Sequence, residues 1–351
     1  MAYTTINKHT DYFNTKLYTG DGNSSHSITG VGFQPDWVWI KNRTSGQDHQ
    51  VYDAVRGVNK KLESNNTDAE TTTTNGLTAF GTDGFTLGDH NESNDNGDNY
   101  ASWNWKAGTT GSGSTTGSGT SKTYNYSVNT TAGFSITKYT GNGNSGHTIP
   151  HSLGTTPKIV MVKELSATDY WRVYHPALTT NYNLYLNTNH AEDSASDGYV
   201  ASVGSTTFGF GGSSNTNTVN QDGNDYIAYC FAEKTGYSKF GSYAPNGSSD
   251  GNFIYTGFAP SFFLIKNTNT TRNWLIFDNK RNTSNETTKS LEPNTSDAEQ
   301  TDSGLKLDLL SNGAKLRGAG GDMNTGDGVE YIYMAFGQSL VGSNNIPCTA
   351  R

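Results

Sequence analysis

The 351-residue sequence has a net charge of −8 at pH 7, with 32% hydrophobic and 12% aromatic residues. Disordered chains combine few hydrophobic residues with a high net charge, so this moderate charge and this aromatic content exclude a disordered chain. The acidic balance and the lack of a basic run argue against nucleic-acid binding, which depends on neutralising phosphates.

The sequence also argues against a membrane or disulfide-stabilised protein. It has no apolar run of the ~18 residues that a membrane-spanning helix needs, and residues 1–10 lack the charged and apolar regions of a signal peptide. Its two cysteines, Cys230 and Cys348, are too few for a disulfide framework. We therefore expect a chain that folds in a cytoplasm, with one buried thiol and one thiol in the tail.

The first strong strand lies at residues 36–41, with the sequence DWVWIK. Successive side chains of a strand point to opposite faces, and here both faces are apolar. The same holds for the counterparts at 158–163 and 261–266. Strands that are apolar on both faces are typical of central strands covered on both sides, so we predict this position for all three.

A second apolar run closes each part of the chain, at 97–105, 223–231 and 328–336. One face of each run is bulky, as with Trp103 and Trp105, and the other face is mostly small. This pattern predicts that the bulky face lines the core of a β-sandwich. The small face would then suit the close approach of another layer or subunit.

Residues 108–122 consist mainly of Gly, Ser and Thr. Such a composition is typical of a flexible linker that forms no core. The tail at 340–351 has no strand pattern. We therefore predict a tether at 108–122 and an irregular tail.

A nine-residue pattern occurs three times, as LESNNTDAE at 62–70, LYLNTNHAE at 184–192 and LEPNTSDAE at 291–299. The Tyr18, Tyr139 and Tyr243 segments and the two apolar runs recur in step with it. Repetition at a regular spacing indicates tandem copies of one structural unit. The predicted division is a first repeat at 1–107, a linker at 108–122, a second repeat at 123–236, a third repeat at 237–339 and a tail at 340–351.

Each repeat contains many short runs separated by Gly, Asn, Asp and Ser, which favour tight turns. Many short strands with frequent turns are typical of sandwiches and barrels. The sequence therefore predicts an all-β protein of three tandem homologous β-sandwich units.

Several segments resemble a family of proteins encoded by tailed bacteriophages. They are AYTTI at 2–6, QPDWVWIKNR at 34–43, YIAYCFAE at 226–233, YSKFGSY at 237–243, NIPCTAR at 345–351 and the nine-residue repeat. The resemblance covers nearly the whole chain. It implies β-sandwiches of the lectin or glucanase kind and a component of the tail, fibre or capsid surface, and it supplies no catalytic residues.

The repeated acids Glu70, Glu192 and Glu299 are the main candidates for catalysis. Glycosidases need two carboxyl groups about 5–10 Å apart, and Asp53 and Asp278 occupy matching positions in the first and third repeats. The second repeat has His175 at this position, which breaks the pair. We therefore expect structural glutamates that accept backbone N–H groups of the preceding Asn turn.

Three other groups of residues could bind ligands. The loop 89–98 is rich in oxygen ligands for Ca²⁺ but lacks the EF-hand pattern, so we expect a solvated hairpin. His147 and His151 have a spacing found in metal sites, but no third ligand is evident. Trp171 and Trp274 could stack on sugars, but their place beside apolar runs favours the core.

These patterns predict a structural bacteriophage virion protein, a tail fibre or surface decoration component with an expected role in host attachment. One alternative is a carbohydrate-binding module for receptor recognition, and a more distant one is a glycan-degrading enzyme. We predict no enzymatic activity, no catalytic, metal or cofactor site and no cofactor. The expected partners are other virion proteins, a host surface glycan and further copies of the chain, with a homotrimer preferred, and the expected location is the virion, assembled in the host bacterial cytoplasm.

Overall fold

The computed structural model describes residues 4–194, 198–212, 217–326 and 328–341, and nearly all of their regular structure is β. A 3₁₀ turn at His9–Asp11 precedes the first unit. This unit contains β1 (Phe13–Thr19), β2 (His26–Thr29), β3 (Trp37–Asn42), β4 (Gln50–Asp53), β5 (Lys60–Lys61), β6 (Thr71–Thr72), β7 (Leu77–Gly81), β8 (Gly84–Leu87), α1 (Asn91–Asn94) and β9 (Asn99–Trp105).

The second unit contains β10 (Thr109–Ser114), β11 (Thr116–Gly117), β12 (Thr123–Asn129), β13 (Phe134–Thr140), β14 (His147–Pro150), β15 (Ile159–Glu164), β16 (Arg172–Tyr174), β17 (Leu184–Tyr185), β18 (Tyr199–Val203), β19 (Thr207–Gly211), α2 (Asn217–Asn220) and β20 (Asp225–Phe231). The third unit contains β21 (Ser238–Tyr243), β22 (Phe253–Tyr255), β23 (Phe258–Asn267), β24 (Leu275–Asp278), β25 (Lys289–Ser290), β26 (Gln300–Thr301), β27 (Leu307–Leu310), β28 (Gly313–Leu316) and β29 (Tyr331–Ser339). No helix in the described residues is long and apolar enough to cross a membrane.

The same strand order occurs three times. One sheet runs β1-β9-β3-β4 in the first unit, β13-β20-β15-β16 in the second and β21-β29-β23-β24 in the third. A second sheet runs β2-β8-β7, β14-β19-β18 and β22-β28-β27. All paired strands are antiparallel, so the all-β prediction is confirmed, while the outer limits of the repeats stay predictions.

Each unit encloses a hydrophobic core between its two sheets. These three cores contain, among others, Val38, Tyr52, Leu87 and Tyr100 in the first unit, Val160, Phe208, Tyr226 and Cys230 in the second, and Phe263, Phe277, Leu307 and Ala335 in the third. Every residue of β3 and β15 is buried, as are the residues of β23 from 260 to 267. The prediction of central strands covered on both faces is therefore confirmed.

A fourth hydrophobic cluster joins the three units. At its centre lie three aromatic residues from the closing strands, Trp105, Phe231 and Phe336, whose ring centroids are 5.8 to 6.4 Å apart. Trp37, Trp39, Ile159, Met161, Phe262 and Leu264 of the central strands belong to the same cluster. The three units thus surround a pseudo-threefold axis and bury their outer faces against one another. We call this cluster the shared core.

The prediction for the closing strands was therefore reversed. The bulky faces, with Trp103 and Trp105 in β9, point into the shared core, whereas Ala228 and Cys230 of β20 line the core of their own sandwich. Sequence alternation shows that two faces differ, but it does not show which surface covers each face.

The predicted linker was also wrong. Residues 109–117 form β10 and β11, which pair with β12 and β14 and enlarge both sheets of the second unit. Gly111 and Gly113 lie opposite Tyr126 and Tyr124. A Cβ at either glycine would come within 2.5 or 2.8 Å of the tyrosine side chain, so the rings cover the glycine backbone and supply the apolar contact that the strand lacks.

The preference for a homotrimer rested on an apolar face of the central strands that needed cover. In this structure the other two units of the same chain provide that cover. The trimer stays a prediction, without this argument to support it. Cys348 lies outside the described residues, and Cys230 is a buried free thiol.

Candidate functional site

The repeated acids lie at the junctions between the units, and in the first and third units an arginine side chain joins the glutamate to the matching aspartate. In the first unit, Arg56 Nε donates to Asp53 Oδ2 at 2.5 Å, and its Nη1 lies 3.4 Å from Glu70 Oε2. In the third unit, the guanidinium of Arg281 makes the same two contacts, at the same distances, with Asp278 and Glu299. Both arginine side chains are fully buried.

A local turn that follows β4 in the first unit and β24 in the third creates this arrangement. Asp53 Oδ1 accepts hydrogen bonds from the amides of Val55 at 3.0 Å and Arg56 at 2.8 Å. Asp278 does the same with the next residues of the third unit. Aspartate favours such turns, and the turn brings the arginine three residues later back onto the aspartate. The repeated Asp-x-x-Arg spacing is a sequence signal of this arrangement that the predictions from sequence did not include.

The charges of the third unit oppose acid catalysis. Burial alone would raise the pKa of Asp278, but the charge and hydrogen bonds of Arg281 outweigh it and hold the pKa below its usual value. For Glu299, burial is likewise outweighed by Arg43 and Arg281, so its pKa is also lowered. A glycosidase acid needs a raised pKa to hold its proton, and these two carboxylates have the opposite shift.

The second unit replaces the ion pair with neutral groups. His175 takes the place of the aspartate, Leu178 that of the arginine, and burial lowers the pKa of His175 to about 4. Glu192 instead accepts hydrogen bonds from the amide and hydroxyl of Thr179, both at 2.8 Å. The predicted partners of the glutamates were backbone amides of the preceding Asn turn, and this prediction was wrong in all three units. The glutamates instead contact arginine side chains or Thr179.

The backbone of each repeated glutamate ties its unit to the next one. The amide donates to a carbonyl just after a central strand of the neighbouring unit: Glu70 to Leu165 at 3.1 Å, Glu192 to Thr268 at 2.7 Å and Glu299 to Arg43 at 3.0 Å. The three bonds run from the first unit to the second, from the second to the third, and from the third to the first. They form a closed cycle around the pseudo-threefold axis.

A second cycle of contacts uses the side chains of the residues that immediately precede β4, β16 and β24. Each donates to, or contacts, a carbonyl of the preceding unit: Trp171 Nε1 to Glu63 at 2.8 Å, Trp274 Nε1 to Tyr185 at 2.9 Å and His49 Nε2 to Glu292 at 3.1 Å. Trp171 and Trp274 are buried in the shared core, so the core prediction for both is confirmed. They offer no open face to a sugar.

Cross-junction bonds also reach the buried aspartates. Tyr229 Oη donates to Asp53 Oδ2 at 2.7 Å, and Trp103 Nε1 donates to Asp278 Oδ2 at 3.2 Å. The corresponding sequence positions in the third and second units hold Met334 and His175, so the hydrogen-bond donor and the aspartate are both replaced there.

Three buried lysines end the central strands at the same junctions. Lys41, Lys163 and Lys266 are completely buried, and each Nζ donates to the carbonyl of the following residue at 2.6 to 2.8 Å. Lys41 also reaches Ser296 O at 3.1 Å in the third unit. Burial lowers the pKa of Lys41 and Lys163 to about 8 and that of Lys266 to about 7.

The loop at 89–98, for which a solvated hairpin was predicted, is held by a buried asparagine. Asn94 Oδ1 accepts from the Asp21 amide at 3.0 Å, and its Nδ2 donates to the carbonyls of Asn23 and Gly88. Asn220 and Asn324 play the same part in the other units. The loop therefore uses its polar side chains within the protein, although part of it is buried rather than solvated.

The two candidate histidines do not share a site. His147 contacts Asn220 and Thr115 through its two ring nitrogens, at 2.7 and 2.6 Å. His151 Nε2 contacts Gly204 O at 3.1 Å. Neither contact set includes a carboxylate or a second histidine.

One group of acids, which includes Glu92 of the loop at 89–98, lies close together. Among the described residues, Asp48, Glu63 and Glu92 have carboxylate oxygens within 4.8 Å of one another. Lys61 Nζ pairs with Glu63 and lies 3.0 Å from Glu92. The lysine therefore neutralises part of this group, which forms a largely buried ion-pair network in the first unit.

Comparison with known proteins gives one match. A family model described as "Domain of unknown function (DUF7483)" matches residues 8–339. The matched segment spans β1 to β29 and therefore all three units. No curated protein and no solved structure matches the chain.

Proposed function

The chain belongs to the DUF7483 family, and we propose that it is a structural protein of a bacteriophage particle, a tail-fibre or surface component that acts without catalysis. The observation that carries the structural part is the location of the repeated acids. They lie partly buried at the junctions, where the backbone amide of each glutamate bonds to the next unit and Arg43 pairs with Glu299 across one junction. Within the units, Arg56, Arg281 and Thr179 hold the glutamates in position.

Closed cycles of contacts suit a protein that must persist outside a cell. Local unfolding of one unit exposes the shared core to water. It is therefore less favourable here than in a chain whose units are joined only by flexible linkers. The phage setting of the proposal comes from the sequence segments described above, and the low share of charged residues, 16%, fits a polar and weakly interacting surface.

The test is to find the protein on the particle. Density-purified particles would be analysed by mass spectrometry and imaged with gold-labelled antibody against this chain, with a non-virion protein of the same phage as the control. We expect a fixed copy number per particle and labelling at the tail or the capsid surface. Absence of the chain from particles that retain infectivity and contain their other structural proteins would overturn the proposal.

The glycan-degrading alternative makes a different demand. It needs release of reducing sugars from a host polysaccharide and loss of that activity on a conservative Glu70→Gln or Glu299→Gln change. The lowered pKa of Glu299 and the ion pairs of both glutamates favour the non-catalytic proposal.

A further inference from the structure

Strand β22 carries two exposed aromatic side chains on one face. Phe253 is 44% exposed and Tyr255 is 54% exposed, whereas Ile254 between them is buried in the sandwich core of the third unit. Successive strand residues point to opposite faces. The two rings therefore stand side by side on the outer surface of the β22-β28-β27 sheet.

The other two units show that the fold does not need these rings. The buried isoleucine of the strand is Ile28 in β2, Ile149 in β14 and Ile254 in β22. The flanking residues are Ser27 and Thr29 in the first unit and Thr148 and Pro150 in the second. Only the third unit has aromatic residues on both sides, at positions that contribute nothing to the core.

The neighbouring strand leaves the rings accessible and holds them in place. Tyr255 pairs with Gly313 of β28, and a Cβ at Gly313 would lie 2.8 Å from Cζ of Phe253. The Phe253 ring therefore extends over the glycine backbone. On the other side, Lys239 Nζ lies 5.5 Å from the centroid of the Tyr255 ring, in cation–π contact.

Lys315 of β28 lies opposite Phe253, and the charged side chains in this part of the sheet pair with one another. Lys315 pairs with Asp250 at 2.8 Å, and Arg317 Nε donates to Asp308 at 2.6 Å. The Asp250 side chain is 81% exposed. The rim thus offers hydrogen-bond donors and acceptors without a strong net charge, which suits a neutral polyol better than a polyanion.

The size of the surface argues against a protein partner. Aromatic side chains present about 150–250 Å² each when fully exposed, so the exposed parts of the two rings amount to roughly 200 Å². A stable protein interface needs roughly 800 Å² on each side. A sugar ring, with an apolar C–H face and polar hydroxyl edges, matches two adjacent aromatic rings with polar neighbours.

We propose that Phe253 and Tyr255 form the stacking surface of a binding site for neutral carbohydrate. The C–H face of a pyranose packs on the aromatic rings, and its hydroxyls hydrogen-bond with Asp250 and Lys315. This site is independent of where the protein resides, so its failure leaves the proposed virion role standing.

The experiment compares three forms of the full-length chain on an array of neutral, acidic and amino-sugar oligosaccharides. They are the wild type, the double variant F253A/Y255A and the control Y170A. Tyr170 is 40% exposed elsewhere on the surface, so the control removes a similar ring. Circular dichroism and thermal unfolding establish that all three fold alike, and titration calorimetry with the best neutral oligosaccharide measures affinity.

We expect wild type and Y170A to bind a neutral oligosaccharide and F253A/Y255A to lose at least tenfold in affinity, with little dependence on salt. Three results would each overturn the proposal: no binding of any neutral sugar at millimolar concentration, equal binding by F253A/Y255A, or binding restricted to acidic sugars and abolished by salt.

Discussion

At the scale of single residues, the buried arginines decide whether each junction is charged or neutral. Arg281 neutralises Asp278 and contacts Glu299 without access to water. Removing one partner of a buried ion pair typically costs about 3–5 kcal/mol, because the other charge stays buried and uncompensated. The second unit shows a neutral solution for the same position, with His175 and Leu178.

This comparison gives a double-variant prediction. Arg281→Leu should lower the free energy of unfolding by about 3–5 kcal/mol. Adding Asp278→His, which copies the second unit, should restore part of that loss. Urea unfolding of wild type, both single variants and the double variant measures the coupling between the two residues. A double variant as unstable as the sum of the two single variants would show that the ion pair is not the cause.

The buried lysines predict how stability depends on pH. Their pKa values are about 8, 8 and 7 in the folded chain, against 10.5 without burial. Between these values the unfolded chain binds more protons than the folded chain, so the free energy of unfolding rises with pH. We expect a gain on the order of a few kcal/mol between pH 7 and pH 9. At still higher pH the buried tyrosines, whose pKa is raised by burial, oppose the gain.

The variant that tests this prediction is Lys163→Met. Lys163 Nζ donates to one backbone carbonyl, that of Glu164, so the substitution removes few contacts besides the titrating amine. Removing one of three such lysines should reduce the pH slope of unfolding by about a third, measured by urea unfolding at half-unit pH steps. An unchanged slope in the variant would mean that Lys163 does not lose its proton in the folded chain.

At the scale of elements, the strand pair at 109–117 predicts resistance to proteases. β10 pairs along its whole length with β12, and Tyr124 and Tyr126 cover its glycines. A broadly specific protease should therefore make its first cut outside 109–117. Mass spectrometry of the earliest fragments from proteinase K identifies that site. A first cut within 109–117 would instead support a flexible linker.

The sequence predicted the strands better than it predicted their surroundings. Apolar runs identified the central and closing strands, because a strand that is buried on both faces consists mainly of apolar residues. The strand at 109–117 was missed because Gly and Ser carry little strand signal, and its stabilising tyrosines are supplied by a different strand. The orientation of the closing strands was missed because the covering surface belongs to other units, distant in sequence.

Only part of the candidate site could be predicted from the sequence, because some of its residues come from other units that are distant in sequence. The repeated glutamates and their matching aspartates were identified from spacing, and they do lie together at the junctions. Their arginine partners were not predicted, because a search for paired acids does not detect the Asp-x-x-Arg spacing. Cross-junction donors such as Tyr229 could not be found without the arrangement of the units.

At the scale of the whole molecule, the shared core predicts that the three units unfold together. The third unit contributes Phe262, Leu264 and Phe336 to that core, so its loss would leave the other two units with large exposed apolar faces.

Scanning calorimetry should show one transition, with equal calorimetric and van't Hoff enthalpies, as for a single cooperative domain. Phe336→Ala should lower the stability of the entire transition by about 3–5 kcal/mol. The control Phe277→Ala alters the separate core of the third unit. Two or three resolved transitions in the wild type, or a Phe336→Ala variant that destabilises only one of them, would mean that the units are independent domains merely in contact.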